Sequence, residues 1–93
     1  MEFSKDSIIG IIGAGAMGSG IAQVAATAGH RVRLFDLSEE SLQKSKSSLS
    51  KVMDRLIEKG RVNAVDAKAI QDRISYEEGL SYFEDCELVI EAV

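Results

Sequence analysis

The chain has 93 residues, with 45% hydrophobic side chains and 11 basic against 15 acidic groups, for a net charge of −4. This is the composition of a globular protein, and its acidic balance argues against nucleic acid or an anionic membrane surface as a partner. No run approaches the roughly 18 consecutive apolar residues of a membrane span, and Met1-Glu2-Phe3-Ser4-Lys5-Asp6 lacks the basic and apolar regions of a signal peptide.

Ile8, Ile9, Ile11 and Ile12 predict a first strand over 8–12, apolar on both faces as a buried parallel strand should be. It leads straight into Gly13-Ala14-Gly15-Ala16-Met17-Gly18. A helix is expected over 17–28, closed by Gly29, and its small residues Ala22, Ala25 and Ala26 allow close approach to a sheet. A second strand over 31–36, with Val32, Leu34 and Phe35 apolar, stops at Asp36. A lone G-x-G-x-x-G carries little weight. Here it sits between a strand and a helix, with an acidic residue 23 positions after Gly13, which is the context of a dinucleotide-binding fingerprint.

Each position has a task in such a site. Gly13 lets the chain turn out of the strand, Gly15 leaves the backbone bare for a pyrophosphate, and Gly18 lets the helix pack on the strand. The N–H groups of the first helical turn and the positive end of its dipole would face the phosphates. No basic residue lies between Ile8 and Gly29, as suits a site that holds phosphate through backbone amides. A carboxylate at Asp36 can accept from both ribose hydroxyls of an adenosine and would repel a 2′-phosphate. Leu37, Ser38, Glu39 and Glu40 supply no compensating cation, so NAD is favoured over NADP. The plainer readings are a sharp strand-to-helix turn for the glycines and a cap or loop-end carboxylate for Asp36. Ser38 is the better cap, with Glu39 and Glu40 in the first turn.

From Ser38 the pattern turns helical for some twenty residues, with Leu42, Leu49, Met53, Leu56 and Ile57 on one stripe and Lys59-Gly60 at its close. Lys44, Lys46, Lys51, Asp54, Arg55 and Glu58 form the opposite, solvated face. Asn63, with Asp66 three positions on, predicts the cap of a short helix through about Asp72. Short strands are expected over 74–76 and 88–93, with one or two helical turns over 79–85. Cys86, the single cysteine, cannot close an internal disulfide, which fits a reducing cytoplasm, and its simplest reading is a small semi-apolar residue entering a strand.

This element order predicts an α/β fold with right-handed crossovers: a Rossmann-type partial parallel sheet of strand order 3-2-1-4, helices on both faces, truncated after the fourth strand. The fourth strand is then an apolar edge, along which two chains are expected to pair or swap segments as a homo-oligomer.

The run Gly-Ala-Gly-Ala-Met-Gly-Ser-Gly-Ile-Ala from Gly13, then Asp36, the long charged helix and Leu-Val-Ile-Glu-Ala-Val from Leu88 together resemble the N-terminal domain of the L-3-hydroxyacyl-CoA dehydrogenases. The bacterial 3-hydroxybutyryl-CoA enzymes are the nearest in pattern, and the resemblance covers residues 7–93. It implies NAD-dependent interconversion of a 3-hydroxyacyl-CoA and the 3-oxoacyl-CoA, as in fatty acid metabolism and β-oxidation. Carried over by position, Gly13, Gly15, Ala16, Met17 and Gly18 would hold the pyrophosphate and Asp36 the adenosine ribose. Ala92 and Val93 would lie under the nicotinamide side, and Lys59 would touch part of the CoA.

The family's catalytic histidine, the glutamate that orients it, and the serine and asparagine near the substrate carbonyl have no counterpart in residues 1–93. These residues are expected to be the N-terminal part of an NAD-binding domain, without the C-terminal substrate and dimerisation domain and without turnover of their own. His30, the only histidine, follows the helix-closing Gly29 on the side away from the strand tips, where such sheets do not bind ligands. No metal site is read. A stand-alone nucleotide-binding or oligomerisation module, or a flavin or S-adenosylmethionine enzyme on the same half-fold, are the other readings. The Gly-Ala-Gly-Ala-Met-Gly spacing and the two-helix connection favour the dehydrogenase.

Overall fold

A computed structural model describes residues 7–79 and 85–92 of the chain. Strands β1 (Ile8–Ile12), β2 (Arg31–Phe35), β3 (Ile74–Glu77) and β4 (Leu88–Glu91) form one parallel sheet in the order β3-β2-β1-β4. Helix α1 (Ala16–Thr27) connects β1 to β2, and α2 (Glu39–Glu58) with α3 (Ala64–Asp72) connects β2 to β3. The expected strand order, the two-helix connection and the Rossmann-type architecture are all present.

The register decides which side chains face the helices. Ile9 pairs with Val32 and Leu88, and Ile11 with Leu34 and Ile90, so these residues share one face of the pleated sheet. On that face Ile11, Val32 and Leu34 are almost fully buried against Ala22 and Ala26 of α1 and Met53 of α2. The small face of α1 brings its backbone close to the strands, while Leu42, Leu49 and Met53 supply the bulk from α2. The three helices touch one another and cover this face together. On the other face Arg33, aligned with Gly10 and Ser75, donates to both carboxylate oxygens of Asp85 at 3.0 and 2.8 Å. Asp85, which precedes β4, is thereby tied to that second face.

Helix ends follow the local signals. Ser38 Oγ accepts from Ser41 N–H at 3.2 Å, and Asn63 Oδ1 accepts from Asp66 N–H at 2.8 Å while its amide donates to the Asp66 carboxylate. Boundaries differ from expectation by one or two residues: α1 runs over Ala16–Thr27 rather than 17–28, β2 ends at Phe35 rather than 36, β3 reaches Glu77 rather than 76, and β4 ends at Glu91 rather than 93. Helix α1 begins one residue earlier, at Ala16, because Gly15 with its extended backbone is the cap. Strand β4 ends at Glu91: Ala92 N–H still donates to Ile12 O at 2.8 Å, but β1 turns away at Gly13, where φ is 109°, and no partner strand remains. Residues 80–84, within the helical turns expected over 79–85, and Val93 lie outside the described residues.

Candidate functional site

The loop after β1 is tied to the tip of β2 by two hydrogen bonds. Gly13 N–H donates to Phe35 O at 2.8 Å, and Ala14 N–H donates to Asp36 Oδ2 at 2.9 Å. Ala14 is thereby buried, and α1 starts directly beyond it with no side-chain cap and no acidic residue in its first turn. The amides of Ala16, Met17 and Gly18 thus have no intrahelical partner, and such an end accepts an anion. The Met17 side chain is 67% exposed, and its backbone amide lies in the uncapped first turn.

The glycines separate into two kinds. A Cβ on Gly18 would overlap the Gly13 carbonyl, so glycine there is demanded by the packing of α1 on the loop. At Gly15 the backbone is an ordinary extended cap and a Cβ would meet nothing within 4 Å. Nothing inside the protein requires glycine at that position. The space in front of it suits a phosphate brought close to the main chain.

Asp36 sits at the strand tip beside this loop. Its second carboxylate oxygen accepts from Ser38 N–H at 2.8 Å. The bonds from Ala14 and Ser38 hold the carboxyl below its ordinary value, with burial opposing them weakly, so it is ionised and an acceptor only at neutral pH. A carboxylate offers about four acceptor positions, so two remain for hydroxyl donors. Leu37 beside it is 87% exposed, and Ser38, Glu39 and Glu40 bring no cation to it. The residues present therefore fit an adenosine diphosphate group with a free 2′-hydroxyl. Sequence spacing pointed to Asp36 as a ribose acceptor but missed its bond to Ala14.

Ala92 lies beside the end of β1, at the same edge as the fingerprint, through its bond to Ile12 O. Val93 is outside the described residues. Lys59 is not brought to this site: it caps the far end of α2, a 20-residue helix about 30 Å long, whose first turn starts near the loop. His30 lies at the opposite end of the sheet, its ring nitrogen Nδ1 3.3 Å from the carbonyl of Ser7, before β1 begins. Burial and the nearby Asp85 push the Cys86 thiol up, which keeps it protonated. Among the described residues no group of three His, Cys, Asp or Glu could hold a metal ion, and no helix is long and apolar enough to cross a membrane.

Between α1 and α2 a groove of about 550 Å³ opens from the loop, lined by Gly15, Ser19, Ser41, Lys44 and Ser48 among others. Two residues at its floor had no functional sequence signal. Ser19 Oγ donates to Ala14 O at 3.1 Å, and Ser45 Oγ lies 2.7 Å from Ser19 Oγ. In a periodicity reading a serine on the helix's inner stripe counts only as a weak core position.

The profile described as "3-hydroxyacyl-CoA dehydrogenase, NAD binding domain" matches residues 8–93. A probable 3-hydroxybutyryl-CoA dehydrogenase of Deinococcus radiodurans is 42% identical over 84 residues, covering 90% of this chain and 30% of that protein. One of Bacillus subtilis is 41% identical over 83 residues, covering 89% of this chain and 29% of that protein. The crystal structure of (S)-3-hydroxybutyryl-CoA dehydrogenase from Ralstonia eutropha superposes with a TM-score of 0.90 at 34% identity, over 95% of this chain and 31% of that one. The chain thus spans about 30% of the length of the curated relatives it matches. Its cofactor is NAD. By the profile match and these relatives, the chain belongs to the NAD-binding domain family of the 3-hydroxyacyl-CoA dehydrogenases.

Proposed function

We propose that residues 1–93 are the N-terminal part of the NAD-binding domain of a 3-hydroxyacyl-CoA dehydrogenase. In this reading Gly13, whose own N–H stays on Phe35 O, shapes the turn, the amides of Gly15, Ala16, Met17 and Gly18 hold the pyrophosphate, and the two open acceptor positions of Asp36 take the adenosine ribose hydroxyls. Ala92 and Val93 lie toward the nicotinamide, and Lys59 touches the CoA of the substrate. When bound, NAD supplies the hydride acceptor for oxidation of a 3-hydroxyacyl-CoA, within fatty acid β-oxidation in the cytoplasm. The single observation that carries the reading is the junction of Ala14 with Asp36: an ionised carboxylate held against the first uncapped turn of α1.

These residues bind and orient; they do not supply the acid–base step. His30, the one histidine, is held at the far end of the sheet from Gly15 and Asp36. We further propose that β4, as a sheet edge with Leu88 and Val89 exposed, pairs two copies of the chain.

Calorimetry with NAD, NADP and ADP tests the cofactor reading. NAD and ADP are expected to bind and NADP to bind more weakly, with Asp36→Ala lowering NAD affinity tenfold or more, since hydrogen bonds to a charged group contribute about 1.5–3 kcal/mol each. With acetoacetyl-CoA and NADH the chain alone is expected to show no turnover. Absence of all nucleotide binding would leave an interaction module instead, and measurable turnover would place catalytic groups within residues 1–93.

A further inference from the structure

Both hydrogen-bonding groups of Ala14 are committed to side chains of other elements. Its N–H donates to Asp36, and its carbonyl accepts from Ser19 Oγ on α1. Ser19 Oγ meets Ser45 Oγ, which projects from α2 and is 6% exposed among Leu42, Leu49 and Met53. A hydroxyl has one proton to give. Since that of Ser19 goes to Ala14 O, Ser45 must donate to Ser19, and the relay runs one way: α2 to α1 to the loop. A buried hydroxyl costs free energy unless it is bonded, so a serine on this apolar stripe is explained by the bond it makes.

The Ala14 carbonyl and the Gly15 N–H belong to one planar trans peptide and point in opposite directions. Anchoring the carbonyl on Ser19 therefore aims the Gly15 N–H away from the helices, toward the open space in front of the loop. Without the anchor this peptide would rotate easily, because glycine on one side of it imposes little steric restraint. We propose that Ser19 and Ser45 are positioning residues for the pyrophosphate of the dinucleotide, holding the Gly15 amide in its binding direction from the α2 side. The proposal rests on the reading of the fingerprint loop as the NAD site.

The test compares ADP with adenosine, titrated into the wild-type chain and into Ser19→Ala and Ser45→Ala by NMR. Ser19→Ala is expected to weaken ADP binding roughly three- to tenfold, the effect of one lost hydrogen bond. Ser45→Ala should act in the same direction but less, because Ser19 keeps its bond to Ala14. Adenosine, which lacks phosphates, should bind all three alike. Equal ADP affinity in wild type and Ser19→Ala would overturn the proposal alone. So would parallel losses of ADP and adenosine, which mark a merely structural role. Failure of the wild-type chain to bind ADP would overturn the dinucleotide reading and the proposal with it. Should Ser45→Ala fail to fold, Ser19→Ala carries the test, since alanine is the better helix former at that position.

Discussion

Gly15 and Gly18 lie three residues apart and carry glycine for opposite reasons, so the same substitution should separate folding from binding. A Cβ at Gly18 would be driven into the Gly13 carbonyl and would press on Ile11 at 3.4 Å, and backbone cannot swing aside as a side chain can. Gly18→Ala is expected to destabilise the chain by about 1–3 kcal/mol or more, read by urea or thermal unfolding. Such a loss is large against the roughly 5–15 kcal/mol that holds a domain folded. Gly15→Ala should unfold like wild type, because its Cβ meets nothing, yet bind NAD more weakly through the methyl placed where the phosphate approaches. Equal binding by Gly15→Ala would remove the reason given for glycine at that position.

At the scale of the element, the ends of α2 and α3 were legible because a cap is a contact over three residues. Ser38 and Asn63 both make theirs. Asn63→Ala would leave Asp66 N–H without its acceptor, and α3 is only 9 residues long, too short to persist without its cap and its packing. A loss of about 1 kcal/mol is expected from the melting curve, and an unchanged stability would mean that water replaces the cap. The apolar stripe of α2 was legible too, but not its use. Met53 is 1% exposed, whereas Ile57 one turn later is 36% exposed. The strands are only 4 or 5 residues long, about 17 Å at most, and a helix of about 30 Å overhangs them. Periodicity marks an apolar face without telling whether a neighbour reaches it.

For the whole molecule, the open question is the β4 edge. A two-fold pair of such edges must be antiparallel, and pairing centred on Val89 would set Glu87 opposite Glu91, which like charge disfavours. A register centred on Ile90 avoids this, facing Leu88 with Ala92 and Val89 with Glu91. Light scattering at rising concentration is expected to reveal a dimer that Val89→Lys prevents, because a lysine on an edge strand is a barrier to pairing. A wild-type chain that stays monomeric throughout would remove this proposal and leave the cofactor site untouched. The second face of the sheet is held differently, by Arg33 bridging Glu77 and Asp85, which ties the connection before β4 to the centre of the sheet.

The strand order, the fingerprint with its acidic partner and the helix caps were all determined by the sequence alone. Each depends on near neighbours or on a chain-order rule: a β-branched run into a glycine turn, a cap at three residues, a right-handed crossover. What only the tertiary structure decided are contacts between distant elements. Asp36 reaches Ala14 across 22 positions and Ser45 reaches Ser19 across 26, and the two converge on one residue, Ala14, from its two flanking peptides. No periodicity encodes such bonds, because they depend on how closely α1, α2 and the tip of β2 approach once the small residues of α1 have let the helix settle on the sheet. The same packing set the limit of β4, which stops where β1 turns away at Gly13.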